Sequence, residues 1–219
     1  MDEYLAAGTY IDSDSPQVAE FAREAAARAV GEVARVQRLF HAVRDGIRYD
    51  PYIDFADPTN YRASGVLAAR RGFCVGKAAL LAAACRAIGI PARVGYADVR
   101  NHMTSPRLYA LIKTDVFIWH SYADIRLADR WVKATPAFDR ALCERVGIAP
   151  LDFDGQSDSL FHPFDRAGRR HMEYLADRGT FADVPFETMQ AGFRAFYPGL
   201  AGEAGVTGDF HAEAVAGGD

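Results

Sequence analysis

The stretch Arg70-Arg71-Gly72-Phe73-Cys74-Val75-Gly76-Lys77-Ala78-Ala79-Leu80-Leu81-Ala82-Ala83-Ala84-Cys85-Arg86-Ala87-Ile88-Gly89-Ile90-Pro91-Ala92-Arg93 constrains the fold most. From Ala78 on, small and apolar residues cover nearly the whole surface of a helix, and a helix apolar all round belongs in the middle of a fold. Gly89 stands where a left-handed cap would end that helix, and Pro91 blocks its continuation. Cys74 stands where the preceding turn becomes the helix. A thiol there meets unpaired backbone N–H groups and the positive end of the helix dipole, and both favour thiolate. The commoner fate of a cysteine is a buried structural thiol. Cys85, in mid-helix, carries no signal beyond that.

Two amphipathic helices are predicted before this segment, one from Pro16 to about Val30 and one over Glu32–Asp45, with Val33, Val36, Phe40 and Val43 at helical spacing. Asp50-Pro51 reads as extended, and a short helix runs from about Ser64 to Arg70. After Pro91 the pattern turns to β-formers: Ala92 to Val99, then Val116 to Leu127, then Trp131 to Thr135 pairing back as a hairpin. Leu108 to Ile112 suits strand or helix. A short helix is expected over Phe138–Val146, a surface loop over 148–168, an edge strand over His171–Leu175 and a last helix from Pro185 to about Tyr197. Residues 1–198 read as one domain, and 199–219 as a Gly/Ala-rich mobile tail with little to bury. Helices first and antiparallel strands afterwards make the fold class α+β, with the N-terminal helices and the cysteine helix packed on an antiparallel sheet.

A formal net charge of -4 argues against a nucleic-acid partner. Nothing approaches the roughly 18 apolar residues of a membrane span, and the start lacks the basic and apolar regions of a signal peptide. Three widely spaced cysteines do not form a disulfide framework. A cytoplasmic, reducing location follows, which keeps Cys74 a free thiol. No cofactor is indicated: Gly72 and Gly76 lack phosphate-loop spacing, and Ala78 replaces the needed hydroxyl. Cys74, His102 and His120 lack close metal-ligand spacing, so no metal is expected. Nothing indicates how the chain assembles.

A nucleophilic thiol needs a base. Of the histidines, His211 falls in the tail, His41 in an amphipathic helix, and His162 and His171 in polar loop sequence. His120 sits in the strongest strand, which fixes the direction of a side chain well. The alternative for His120 is a satisfied cross-strand histidine.

The Gly72-x-Cys74 turn, the Ala/Leu-rich helix and Arg86-Ala87-Ile88-Gly89-Ile90-Pro91-Ala92-Arg93 resemble the cysteine segment of the transglutaminase-like superfamily. His120-Ser121-Tyr122-Ala123-Asp124 and the following Trp131-Val132 are similar to its next block, a His-x-aromatic-x-acid strand before a Trp-Val strand. The likeness covers about residues 60–140. It implies a papain-like α+β core with Cys74 as nucleophile and His120 as its partner, attacking an amide or peptide through a thioester that passes to water or to an amine. The Cys74 N–H is placed to donate to the oxyanion.

One position departs from the pattern. The superfamily usually carries Asp at the end of the Trp-Val strand, where this chain has Thr135 before Pro136. Thr135 would accept a hydrogen bond from the imidazole Nδ1–H without supplying a charge, and Asp139 is the nearest downstream carboxylate. Either is a candidate orienter. Asn101 and His102 are candidates for substrate contact near the same cleft. The activity expected is a cysteine-dependent protease or amidase in preference to a cross-linker. The rival is a catalytically silent peptide-binding module on the same fold.

Overall fold

The computed structural model describes residues 2–102, 104–161, 164–197 and 208–216. Helices α1 (Pro16–Ala26) and α2 (Glu32–Gly46) come first, followed by strand β1 (Arg48–Tyr49), helix α3 (Ala63–Ala69), strand β2 (Arg71–Gly72) and helix α4 (Cys74–Ala87). Then come β3 (Ala92–Asn101), α5 (Pro106–Ile112), β4 (Val116–Leu127), β5 (Arg130–Ala134), α6 (Arg140–Val146), β6 (Met172–Phe181), α7 (Phe186–Phe196) and α8 (Phe210–Ala216). The fold is α+β. Its main sheet is antiparallel, in the order β5-β4-β3-β6, and β1 and β2 form a small parallel pair.

Helix α4 is the centre. Every residue from Cys74 to Arg86 is buried, and α1, α2, α3, β3 and β4 all pack on it. Two buried cations keep this environment satisfied. The Lys77 ammonium donates to the carbonyls of Arg44 (2.9 Å) and Ile47 (2.5 Å), and Arg86 donates to the carbonyls of Ala6, Ala92 and Ala182. Backbone acceptors at the ends of other elements thus replace water around both charges. Gly89 ends the helix at φ +80°, where glycine carries no Cβ penalty.

Three expected elements are sharpened. The ambiguous segment before Ile112 is helical, because the Ser105 hydroxyl accepts the Leu108 N–H and Pro106 opens the helix. The strand expected over His171–Leu175 runs on to Phe181 along β3. The third is the proposed mobile tail, of which residues 199–207 and 217–219 lie outside the described residues. Within it, 210–216 form helix α8. Phe210 meets Tyr49 and Tyr52 edge-on at 5.7 and 5.6 Å, Glu213 pairs with Arg107 and Tyr52, and His211 reaches Asp139. The burial that the Gly/Ala composition seemed to deny this segment is supplied by its one aromatic residue and its charged pairs.

Among the described residues no helix is long and apolar enough to cross a membrane.

Candidate active site

Cys74 is the first residue of α4, after Phe73 in extended backbone. With no side chain capping that end, the first-turn N–H groups are left for the sulfur. The backbone N–H groups of Ser121, Val75 and Cys74 interact with it and favour its ionised form. Burial acts more strongly in the other direction and pushes the thiol up to about 11. The resting residue is therefore a neutral thiol. The local geometry favours thiolate as the sequence implied, but the surrounding apolar packing outweighs it.

His120 follows Trp119 on β4 and is 7% exposed. Cys74 and His120 line one cavity, with about 60 Å³ of room for solvent, whose walls include Tyr49, Leu108, Trp119 and Phe193. Apart from the thiol and the imidazole, that lining is aromatic and aliphatic. The Ser121 N–H that acts on the Cys74 sulfur belongs to β4 and follows the histidine in sequence. Burial, and after it the His171 ring, lower the His120 imidazole to about 4, so it too is neutral at rest. Its Nε2 is buried with no hydrogen-bond partner among the described residues.

Behind His120 lies a second, smaller cavity of about 20 Å³, bounded by Thr135, Phe161 and His171. Thr135 is fixed through its backbone, which donates to the Ser159 carbonyl at 2.9 Å, while its Oγ1 is buried without a hydrogen-bond partner among the described residues. Thr135 thus shares a cavity with the imidazole but makes no hydrogen bond to it, through Nδ1 or otherwise.

Asp139 lies elsewhere. Its Oδ1 caps α6 by accepting the Leu142 N–H (3.0 Å), and its Oδ2 accepts the Tyr49 N–H (2.9 Å) and lies 3.2 Å from His211 Nε2. The donated hydrogen bonds, His211 first among them, hold its carboxyl well below the usual range against the opposing effect of burial. Both oxygens are engaged away from His120.

Asn101 and His102 also fall outside the Cys74 cavity. Asn101 ends β3 opposite Met172, and His102 lies 3.4 Å from Glu173 in a separate outer cavity with Arg145 and Arg170. They lie at the end of a strand whose middle, not its tip, pairs with β4 at His120.

The residue that sequence reasoning passed over is His171. It is 4% exposed and faces the Thr135 cavity. Its place depends on β6 pairing with β3 across some eighty residues of chain, and nothing local to His171 announces that. His162 lies outside the described residues. Among the described residues no three His, Cys, Asp or Glu side chains gather to hold a metal ion.

A family model described as the transglutaminase-like superfamily matches residues 19–136, just over half of the chain. Among solved structures, a protein described as a "putative cysteine protease" from Cytophaga hutchinsonii is similar, with a TM-score of 0.51 and 19% identity. The match covers 83% of this chain and 46% of that one, so this chain spans about half the length of its relative. A "putative protease" from Parabacteroides distasonis is similar at a TM-score of 0.40 and 16% identity, over 57% of this chain and 25% of that one. No curated protein matches. The similarity to the Cytophaga structure is one of fold.

Proposed function

The chain belongs to the transglutaminase-like superfamily, and we propose that it catalyses cysteine-dependent acyl transfer from a peptide or amide, with water as the acceptor. The observation that carries this reading is one cavity lined by both a thiol at a helix start and a strand-borne imidazole. The residues supply a complete cycle. Neutral His120 takes the Cys74 S–H proton as sulfur bonds to the carbonyl carbon, and the Cys74 N–H steadies the developing oxyanion. The imidazolium then gives that proton to the amine as the C–N bond breaks, leaving a thioester. Water attacks the thioester with His120 again as base, releasing the acid and restoring the thiol.

Thr135 is the proposed orienter in preference to Asp139, since the hydroxyl faces the His120 cavity and the carboxylate is engaged elsewhere. That cavity, of about 20 Å³, has room for one water. A cytoplasmic, reducing setting goes with this reading, because it keeps Cys74 a thiol.

The second reading, a silent module that grips a peptide, draws on the uncharged third position. Incubation with p-nitrophenyl acetate separates the two. Catalysis gives a burst of about one nitrophenol per chain and an acyl group on Cys74 by mass spectrometry, both lost in Cys74→Ala. Slow release indifferent to that substitution would leave only the binding module.

A further inference from the structure

Successive side chains of a strand point to opposite faces, yet Phe117, Ile118, Trp119 and His120, four in a row on β4, all line the Cys74 cavity. Between the pairs Ala97↔His120 and Val99↔Phe117, β3 advances by two residues and β4 by three, so β4 carries an extra residue there. Within that bulge Trp119 has φ +60°, a left-handed conformation that bulky residues seldom adopt.

A matching bulge faces β3 from the other side. Tyr96↔Gly179 is followed by Ala97↔Asp177, which leaves Arg178 as the extra residue on β6. Asp98 lies between the two bulges and joins them. Its Oδ1 accepts the Trp119 backbone N–H at 3.1 Å, and its carboxylate accepts Arg178 Nε and Nη2 at 2.5 and 2.8 Å. The Arg178 guanidinium in turn lies 4.7 Å from the Trp119 ring centroid.

We propose that Asp98, braced by Arg178, is a positioning residue for His120: it holds Trp119 in the left-handed conformation that turns His120 onto the Cys74 cavity. The inference rests on His120 being the base of the proposed reaction. Without the carboxylate the Trp119 N–H loses its acceptor, and relaxation of Trp119 to ordinary extended backbone rotates the next side chain towards the other face.

The test compares Asp98→Ala, Asp98→Asn and Arg178→Ala with the parent. It measures p-nitrophenyl acetate turnover, the pH profile of Cys74 alkylation by iodoacetamide, and NMR signals of the Trp119 amide and the His120 ring. Asp98→Ala is expected to lower kcat about 10- to 100-fold with little change in KM, the scale of a slightly misplaced catalytic group. Its alkylation profile should become that of His120→Ala, and its Trp119 amide should lose protection from exchange. Asp98→Asn keeps an oxygen for that amide and should recover to within about fivefold of the parent. If Asp98→Ala does not fold, Arg178→Ala, at a more exposed site, decides by the same readouts with a smaller loss. Unchanged His120 ring signals and an unchanged alkylation profile in these variants would overturn the proposal. Should His120→Ala itself leave alkylation unaltered, the acyl-transfer reading fails, and the amide and ring signals still decide the clamp.

Discussion

His120 and Thr135 line one small cavity, and His120 Nε2 and Thr135 Oγ1 are both buried without a hydrogen-bond partner among the described residues. A buried polar atom left unsatisfied costs on the order of 1–3 kcal/mol. Where the superfamily pattern has a carboxylate, this chain has a hydroxyl, so no charge there opposes the burial that keeps the imidazole neutral.

Thr135→Asp tests that relation. A carboxylate in this cavity stabilises imidazolium, so the His120 titration should move up from about 4 by one or more pH units. Thr135→Val should instead leave the titration in place and lower kcat about tenfold, through loss of ring orientation. NMR titration of His120 reads the first effect, and ester turnover the second.

The depressed His120 also has a stability signature. Its folded value lies below the ordinary 6.5, so the unfolded chain binds the extra proton first. Stability is then complete above about pH 6.5 and is lost as pH falls towards 4, by roughly 3 kcal/mol in total. Denaturant unfolding at stepped pH should show this loss in the parent and a flatter profile over the same window in His120→Gln.

Lys77 acts in a different window. Burial lowers its ammonium to about 7, well under the ordinary 10.5, so its contribution too falls as pH drops, here from 10.5 towards 7. Below about 7 the cost is constant. Stability should rise by roughly 2–3 kcal/mol between pH 7 and 9, before the buried thiols titrate. Lys77→Met should abolish that slope.

Gly192 lets α7 approach β4. A Cβ there would sit 2.7 Å from Trp119 Nε1 and 3.5 Å from Cδ1, and the indole is only 5% exposed. Gly192→Ala should therefore cost about 1–3 kcal/mol by thermal unfolding, and should lower turnover because Trp119 precedes His120.

Much of this arrangement is legible in the chain because its signals are local. The apolar girth of α4, the Gly89 stop and the β-formers around His120 each act over a dozen residues, and the helix and strand they predict are present. The expected thiolate fails at the next level: the N–H groups at Cys74 are a local fact, but its burial depends on β4 and the cavity walls. Asp98 meets Arg178, and His171 reaches the Thr135 cavity, only through the β3–β6 ladder, whose alignment depends on bulges that no periodicity reveals. Asp139 illustrates the converse. Nearness in sequence to Thr135 suggested a role beside His120, whereas capping of α6 and contact with α8 hold it elsewhere.

The central claim is that His120 acts on Cys74 as a base, and the pH dependence of Cys74 alkylation tests it most directly. With both groups neutral at rest, iodoacetamide should label Cys74 at pH 7 about 10- to 100-fold faster in the parent than in His120→Ala, the scale of general-base assistance. That advantage should fade as pH drops towards 4 and the imidazole takes up its proton. Equal rates in the two proteins across the whole range would contradict the account.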